Sequence, residues 1–217
     1  LDTSQRTKIQ WAQGLFTLLI GLTIAHFGVT LFLISELGPD TFTILIQGIS
    51  RTCGLSIGTC HVIALILLMV LMAIFTKGYI KPGTVICAFC GGWIIDFFLF
   101  LFGDRVSAVS PLWLRLVVMV LGCIILSLGM SVVIESNSGT GPNDLIAIIL
   151  TDKINQYRSV KFRWVRIGCD IIFTVVGFLL GGTFGIGTLT AAIVIGPLVQ
   201  LFLPLSKTAI RKVFPNL

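Results

Sequence analysis

Charge is what this chain has least of. Its 217 residues include 15 Lys plus Arg and 9 Asp plus Glu, 11% in all, under half of the roughly 25% usual in soluble domains. Histidine occurs twice and tyrosine twice. Polar stretches long enough to build a separate soluble domain are missing as well. With 56% hydrophobic residues and a mean hydropathy of +1.05, a single buried core could not house the apolar side chains. A soluble enzyme is therefore excluded, as are disordered and fibrous chains, and a polytopic membrane protein remains. A membrane barrel is excluded too, because the apolar runs are continuous and lack the roughly ten-residue alternation of barrel strands.

Catalytic constellations are equally scarce. There is no Walker loop, zinc-protease motif or nucleophile elbow, so neither an enzyme nor a cofactor is expected. Gly181, Gly182, Gly185 and Gly187 are too loosely spaced for a nucleotide loop. Six cysteines at 53, 60, 87, 90, 123 and 169 fall mostly inside apolar runs and do not make a secreted disulfide pattern. Cys87 and Cys90 have metal or redox spacing but sit within a spanning run, where cysteine reads as a small packing residue. A cleavable leader is not expected, the first apolar run being too long for a signal core.

What is present is a set of six apolar runs, at 15–35, 55–76, 84–102, 116–134, 160–180 and 184–205. Each approaches the roughly 20 residues needed to cross about 30 Å of hydrocarbon. With the N-terminus in the cytoplasm, the basic residues on that side are Arg6, Lys8, Lys77, Lys81, Lys153, Arg158, Lys161, Arg163, Arg166, Lys207, Arg211 and Lys212. Arg51, Arg105 and Arg115 fall outside. That bias places both termini in the cytoplasm. The net charge of +6 thus describes orientation in a bilayer and does not call for a nucleic acid.

The two halves resemble each other. Gly21 and Gly28 match Gly122 and Gly129 at a spacing of 101, and Gly38-Pro39 matches Gly141-Pro142 at 103. Gly83-Thr84, Ala88, Gly92 and Phe98 match Gly187-Thr188, Ala192, Gly196 and Phe202 at 104, a register that aligns Asp96 with Gln200. An ordered set of this kind points to duplication, with repeats at about 14–103 and 115–205. Each half reads as a long span, a Gly-Pro turn, a short apolar segment and two further spans. The short segments, 41–49 and 144–151, cover only about 12–14 Å as helix, too little to cross. Length therefore favours six spans and inverted repeats over eight spans and parallel ones.

Asp40 and Asn143 follow the two prolines and suit helix starts. Short helices beginning at equivalent points would aim two positive dipole ends at related places, as broken helices do in transporters. The alternative is a pair of amphipathic helices lying in the interface. Gly177-xxx-Gly181, Ala88-xxx-Gly92 and Ala192-xxx-Gly196 permit close helix approach, within one chain or across a homodimer seam.

Ionisable groups in hydrocarbon are functional candidates by default. His26, His61 and Asp96 come from three spans at similar depths, roughly 9–14 Å from the outer ends. A His61–Asp96 pair with His26 nearby would carry a proton or hold a polar ligand, or would be a hydrogen-bonded structural knot. On the fifth span Arg163, Arg166 and Asp170 share one face, and Arg166 can pair with Asp170 along the helix. Lys161 and Arg163 can instead snorkel to cytoplasmic headgroups. Gln200 and Ser127 reach the same leaflet. Gln47, Asn143 and Asp144 in the short segments complete a path. One outer and one inner polar cluster are what an alternating-access carrier needs.

The order of motifs resembles the YczE/YyaS/YitT group of bacterial integral membrane proteins, and its YczE-like branch most. The residues concerned are Leu37-Gly38-Pro39-Asp40, Gln47-Gly48-Ile49-Ser50, Gly54-Leu55-Ser56-Ile57-Gly58-Thr59 and Pro82-Gly83-Thr84, with Gly92 to Asp96. In the second half they are Gly139-Thr140-Gly141-Pro142-Asn143-Asp144, Val165-Arg166, and Gly185-Ile186-Gly187-Thr188 running to Gly196-Pro197. The chain departs from the group's pattern at Asp40-Thr41, where an aromatic residue and then Asp is more typical. The resemblance implies a cytoplasmic-membrane protein of a possible transporter group, with a vitamin-like substrate suggested for some relatives. The expectation is thus an all-α membrane protein acting as a small-molecule carrier without its own ATPase. Its partners would be the lipid bilayer and an unidentified substrate. The competing expectations are a non-transporting accessory or scaffold subunit with a membrane partner, and the substrate-binding subunit of a multi-component importer.

Overall fold

A computed structural model describes residues 6–75, 79–103 and 110–214. Thr76, Lys77, Arg105 and the side chain of Arg163 lie outside the described residues. The elements are eight α-helices: α1 (Lys8–Ser35), α2 (Thr41–Cys53), α3 (Ile57–Phe75), α4 (Pro82–Phe102), α5 (Leu112–Glu135), α6 (Pro142–Asn155), α7 (Phe162–Leu179) and α8 (Ile186–Val213). Among the described residues there is no strand. Five helices, α1, α3, α4, α5 and α8, are long and apolar enough to cross a membrane. The expected fifth span corresponds to α7, whose 18 residues contain Arg163, Arg166 and Asp170 and so fall short in apolar character.

Local sequence explains where the helices begin and stop. Thr7 and Gln10 form a reciprocal capping box that starts α1 two turns before its apolar run: the Thr7 amide donates to Gln10 Oε1 at 2.9 Å, and the Gln10 amide to Thr7 Oγ1 at 3.3 Å. The chain leaves α1 through Glu36 at φ 52 and Gly38 at φ 100, and leaves α5 through Asn137 at φ 48 and Gly139 at φ 146. These left-handed turns favour glycine and asparagine. Asp40 caps α2, accepting from the Thr43 amide at 3.3 Å and from Thr43 Oγ1 at 2.6 Å. The second Gly-Pro behaves differently. Pro142 is itself the first residue of α6 and Gly141 the cap, so Asn143 lies inside the first turn. The short helices have 13 and 14 residues, longer than their apolar segments. At about 20 Å each they still fall short of the hydrocarbon thickness.

The largest interface joins α1 to α5, and glycine makes it. A Cβ on Gly28 would overlap the Leu126 backbone, and one on Gly129 the Ala25 backbone. A Cβ on Gly21 would stand 3.0 Å from the Gly129 carbonyl oxygen, and one on Gly122 3.0 Å from that of Gly28. The helices are antiparallel, and residues 101 apart make reciprocal contacts. Arginines finish the arrangement. Arg115, at the start of α5, donates to the Ser35 and Glu36 carbonyls ending α1, both at 2.8 Å. Arg6, just before α1, donates to the Ser136 and Asn137 carbonyls ending α5 at 3.3 and 3.4 Å.

The starts of α4 and α8 are exchanged in the same way. The Gly187 amide donates to the Leu37 carbonyl at 2.8 Å, and the Gly83 amide to the Ser138 carbonyl at 3.0 Å. Around this centre α1 packs on α4, α5 on α8, α2 on α3 and α7, and α6 on α3 and α7. Phe32, Val29, Ile95, Met119, Cys123, Leu126 and Ala191 fill the middle. Large apolar side chains cover the outside, from Phe100 at 89% exposed to Leu179, Ile74 and Trp93, as a lipid-facing surface requires.

Candidate functional site

A cavity of about 660 Å³ lies between the two halves, within the range of small-molecule sites. Its walls are the middle of α1 and α3, the beginnings of α2 and α6, the later part of α5, and the facing sides of α7 and α8. Both short helices begin in it, through Asp40, Thr41, Phe42 and Thr43 on one side and Gly141, Asn143 and Asp144 on the other.

Three of its charged groups, Asp144, Arg166 and Asp170, form one network. Arg166 Nη1 donates to Asp144 Oδ1 at 2.6 Å, and Arg166 Nε to Asp170 Oδ2 at 3.3 Å, the latter one helical turn away. Asp170 Oδ1 accepts from Thr41 Oγ1 at 2.7 Å, tying α7 to the start of α2. Arg166 and its two carboxylates are between a quarter and a third exposed, so they reach the cavity space. Asn143 Nδ2 stands 3.5 Å from Asp144 Oδ1, and Gln200 lines the α8 wall.

The two histidines sit beyond this network. Their rings stand edge to face at 5.4 Å, Phe42 lies against His61 at 5.6 Å, and Phe173 lies against Phe42 at 5.4 Å. His26 Nδ1 donates to the Leu22 carbonyl at 2.8 Å. His61 is 6% exposed, and its Nδ1 is buried without a hydrogen-bond partner.

Seven sequence-predicted residues, His26, His61, Asn143, Asp144, Arg166, Asp170 and Gln200, therefore line one cavity. Two others serve the backbone instead. Asp96 does not pair with His61. Its carboxylate accepts from the Gly58 amide at 2.7 Å and from Ser56 Oγ at 2.5 Å, closing the free start of α3 as an N-cap would. Gln47 Oε1 accepts from the Thr183 amide at 2.7 Å, holding the α7–α8 connection. Among the cavity residues that the sequence reading passed over as site residues are Asp40, Thr41, Phe42 and Phe173. Asp40 had been read only as a helix start, and nothing in the pattern distinguished these two phenylalanines among sixteen.

The cysteines of the described chain are all free. Cys87 packs with Leu18 and Leu22 in a small apolar cluster. Among the described residues no group of three or more His, Cys, Asp or Glu is placed to hold a metal ion.

Comparison with known proteins agrees with the order of motifs. The chain is 28% identical over 186 residues to the uncharacterized protein YyaS of Bacillus subtilis, covering 86% of this chain and 90% of that one. It is 28% identical over 187 residues to the uncharacterized membrane protein YczE of the same organism, covering 86% and 83%. An uncharacterized protein of Haemophilus influenzae is also 28% identical over 187 residues, covering 86% and 81%. No solved structure matches significantly. Residues 12–204 match the family of unknown function DUF6198, so this membrane protein, with charged side chains set into a largely apolar cavity, belongs to that family.

Proposed function

We propose that the protein is a small-molecule carrier of the bacterial cytoplasmic membrane, with six spans in two inverted three-helix repeats. The carrying observation is the cavity itself, which collects Asp144, Arg166, Asp170 and two histidines where both short helices begin. Polar groups gathered at such a point are costly in a bilayer unless they serve a path.

Several contacts support the six-span reading. As helix, the 18 residues of α7 extend about 27 Å, enough to cross with slight thinning. Its Arg166 and Asp170 line the cavity, so they need not meet lipid. The inverted relation is supported by the antiparallel α1–α5 contact, in which Gly21 meets Gly129 as Gly122 meets Gly28. A two-fold axis that reverses a spanning helix lies in the membrane plane. The basic residues then put both termini in the cytoplasm.

In this orientation the cavity faces the cytoplasm through the gap between α7 and α8, while the outer ends of α3 and α4 are closed. Transport proceeds by exchange of these two states, with the repeats rocking about the α1–α5 contact. No ATPase of its own is involved.

The test is reconstitution of the purified chain in liposomes, after screening vitamins, amino acids and drugs for thermal stabilisation. The carrier reading expects saturable uptake of a stabilising compound, abolished by Asp170→Asn. Stable co-purification with an ATPase pair, or with a synthesis or export enzyme and no uptake, would replace it by the importer or accessory reading.

A further inference from the structure

Four charged side chains line the cavity: Asp40, Asp144 and Asp170 against Arg166. Two of the acids stand at helix starts, Asp40 as the cap of α2 and Asp144 in the first turn of α6. The positive ends of both short helices therefore already face carboxylates of the chain, which removes the attraction they would hold for an anionic ligand. Even with those ends counted at roughly half an elementary charge each, the lining keeps an excess of about one negative charge. Arg166 is already included in that sum, and it is shared between Asp144 and Asp170.

A second observation is independent of charge. His61 lines the same cavity, and its Nδ1 is buried with no partner. Buried polar atoms are normally satisfied. With its proton on Nε2, the ring holds Nδ1 as an unused acceptor at the cavity wall, which a donor in the cavity meets once the ring turns toward it. Around it stand ring faces and edges: Phe42 against His61, Phe173 against Phe42, and His26 against His61. Phe173 follows Asp170 by one turn of α7, and Phe42 follows Thr41, which bonds Asp170. Carboxylate, aromatic rings and an unfilled acceptor are thus contiguous. They match an ammonium group carried on an apolar body, since cations are attracted to aromatic faces.

We infer that the cavity binds a monovalent organic ammonium ion. Its charge sits at Asp170, one N–H is donated to His61 Nδ1, and its apolar part lies against Phe42 and Phe173. This rests on the carrier reading only for the ligand's route, and the ammonium can come from a free amine or from an aminophospholipid headgroup.

The test uses three congeners of one shape, phenethylammonium, 2-phenylethanol and phenylacetate. They are added to the purified full chain in phosphatidylglycerol nanodiscs while its melting temperature is followed. The ammonium ion is expected to stabilise in a dose-dependent way, with an affinity about tenfold above the alcohol's, the value of one charge-assisted hydrogen bond. Phenylacetate is expected to have no effect. His61→Phe keeps the ring packing and should weaken ammonium binding about fivefold without changing the alcohol's. Asp170→Asn should remove the ammonium preference. If that variant fails to fold, the congener series and His61→Phe still decide. Equal responses to all three compounds, or a preference for phenylacetate, would overturn the inference.

Nanodiscs containing phosphatidylethanolamine identify the source. A lost response to added amine supports the inference with the headgroup as ligand, and an unchanged response supports it with the free amine. Counterflow in proteoliposomes separates this inference from the carrier reading. Binding of phenethylammonium without movement ends the carrier reading alone, whereas preferential movement of phenylacetate ends the ammonium assignment alone.

Discussion

The pair α3–α4 and the pair α7–α8 come in the same order in the two halves of the chain, yet one is shut and the other parted. In the first, a Cβ on Gly92 would overlap the Gly58 carbonyl oxygen and one on Gly58 that of Gly92, so the helices touch backbone to backbone. Asp96 locks the contact by capping α3 from α4. In the second, a Cβ placed on Gly196, 104 residues on from Gly92, would meet no neighbouring element within 4 Å, and neither would one on Gly168 of α7. The residue aligned with Asp96 is Gln200, which lines the cavity. α7 and α8 share no comparable interface among the described residues. The same kind of glycine is thus engaged in one half and disengaged in the other. Sequence contributes to the difference, since the register that aligns Gly92 with Gly196 puts Phe162 where Gly58 stands.

Glycine substitutions should break this comparison most visibly. Gly92→Leu forces a side chain into the Gly58 backbone and should cost about 3 kcal/mol, read as a fall in melting temperature and in folded yield. Gly196→Leu enters open space and should stay within about 0.5 kcal/mol. If the gap must shut during the cycle, uptake by that variant is nevertheless lost. Equal destabilisation by both would erase the distinction between the halves.

Next comes the lock. Asp96→Ala strips the cap from α3 and should cost about 1–2 kcal/mol, measured by thermal melting in detergent. Gln200→Ala is expected to leave the melting temperature alone and to alter ligand affinity. Gln47→Ala should be milder, about 1 kcal/mol, because it frees only the Thr183 amide. Its sign is informative: a looser α7–α8 connection should change uptake rate more than stability.

The smallest effect is expected at Tyr79, whose hydroxyl donates to Asp152 at 2.7 Å and ties the α3–α4 connection to α6. That bond, with a lesser contribution from desolvation and the nearby charge, holds the phenol above its ordinary pKa. Its contribution is therefore complete below the ordinary tyrosine value of about 10 and fades as pH rises through the folded one. Tyr79→Phe should shift stability by no more than about 0.5 kcal/mol, and only below that pH.

Helices with long apolar runs were the legible part of the sequence. The expected ends at Ser35 and Phe102 coincide with those of α1 and α4, because glycine, proline and charge punctuate the chain there. The polar first turns of α1, set by Thr7 and Gln10, and the last turns of α8, beyond Pro204, escaped a reading based on hydropathy. They are helical through capping and continuation of the backbone ladder rather than burial. The same reason lengthened α2 and α6.

At the site, Arg166 and Asp170 were readable because their spacing of four residues fixes a shared helix face. Asp144 joined them through tertiary folding alone. Asp96 shows the limit most clearly. Its type and depth marked a buried acid needing a partner, but periodicity could not say that the partner would be the start of α3 rather than a histidine. Phe42 and Phe173 carried no mark at all, since an aromatic residue reads alike whether it faces a core, lipid or ligand.

The most direct test of this account is whether α7 and α8 come together as α3 and α4 do. Cysteines would be placed at Phe162 and Gly196, the positions 104 residues on from Gly58 and Gly92, in a chain whose own six cysteines are replaced by alanine, and the protein oxidised in native membranes. A control pair at Ser131 and Ser206, whose hydroxyls already meet at 2.6 Å, reports that cross-linking works. Two alternating states predict a Phe162→Cys/Gly196→Cys bond that arrests uptake until it is reduced. A control pair that links while the test pair stays free would contradict the account.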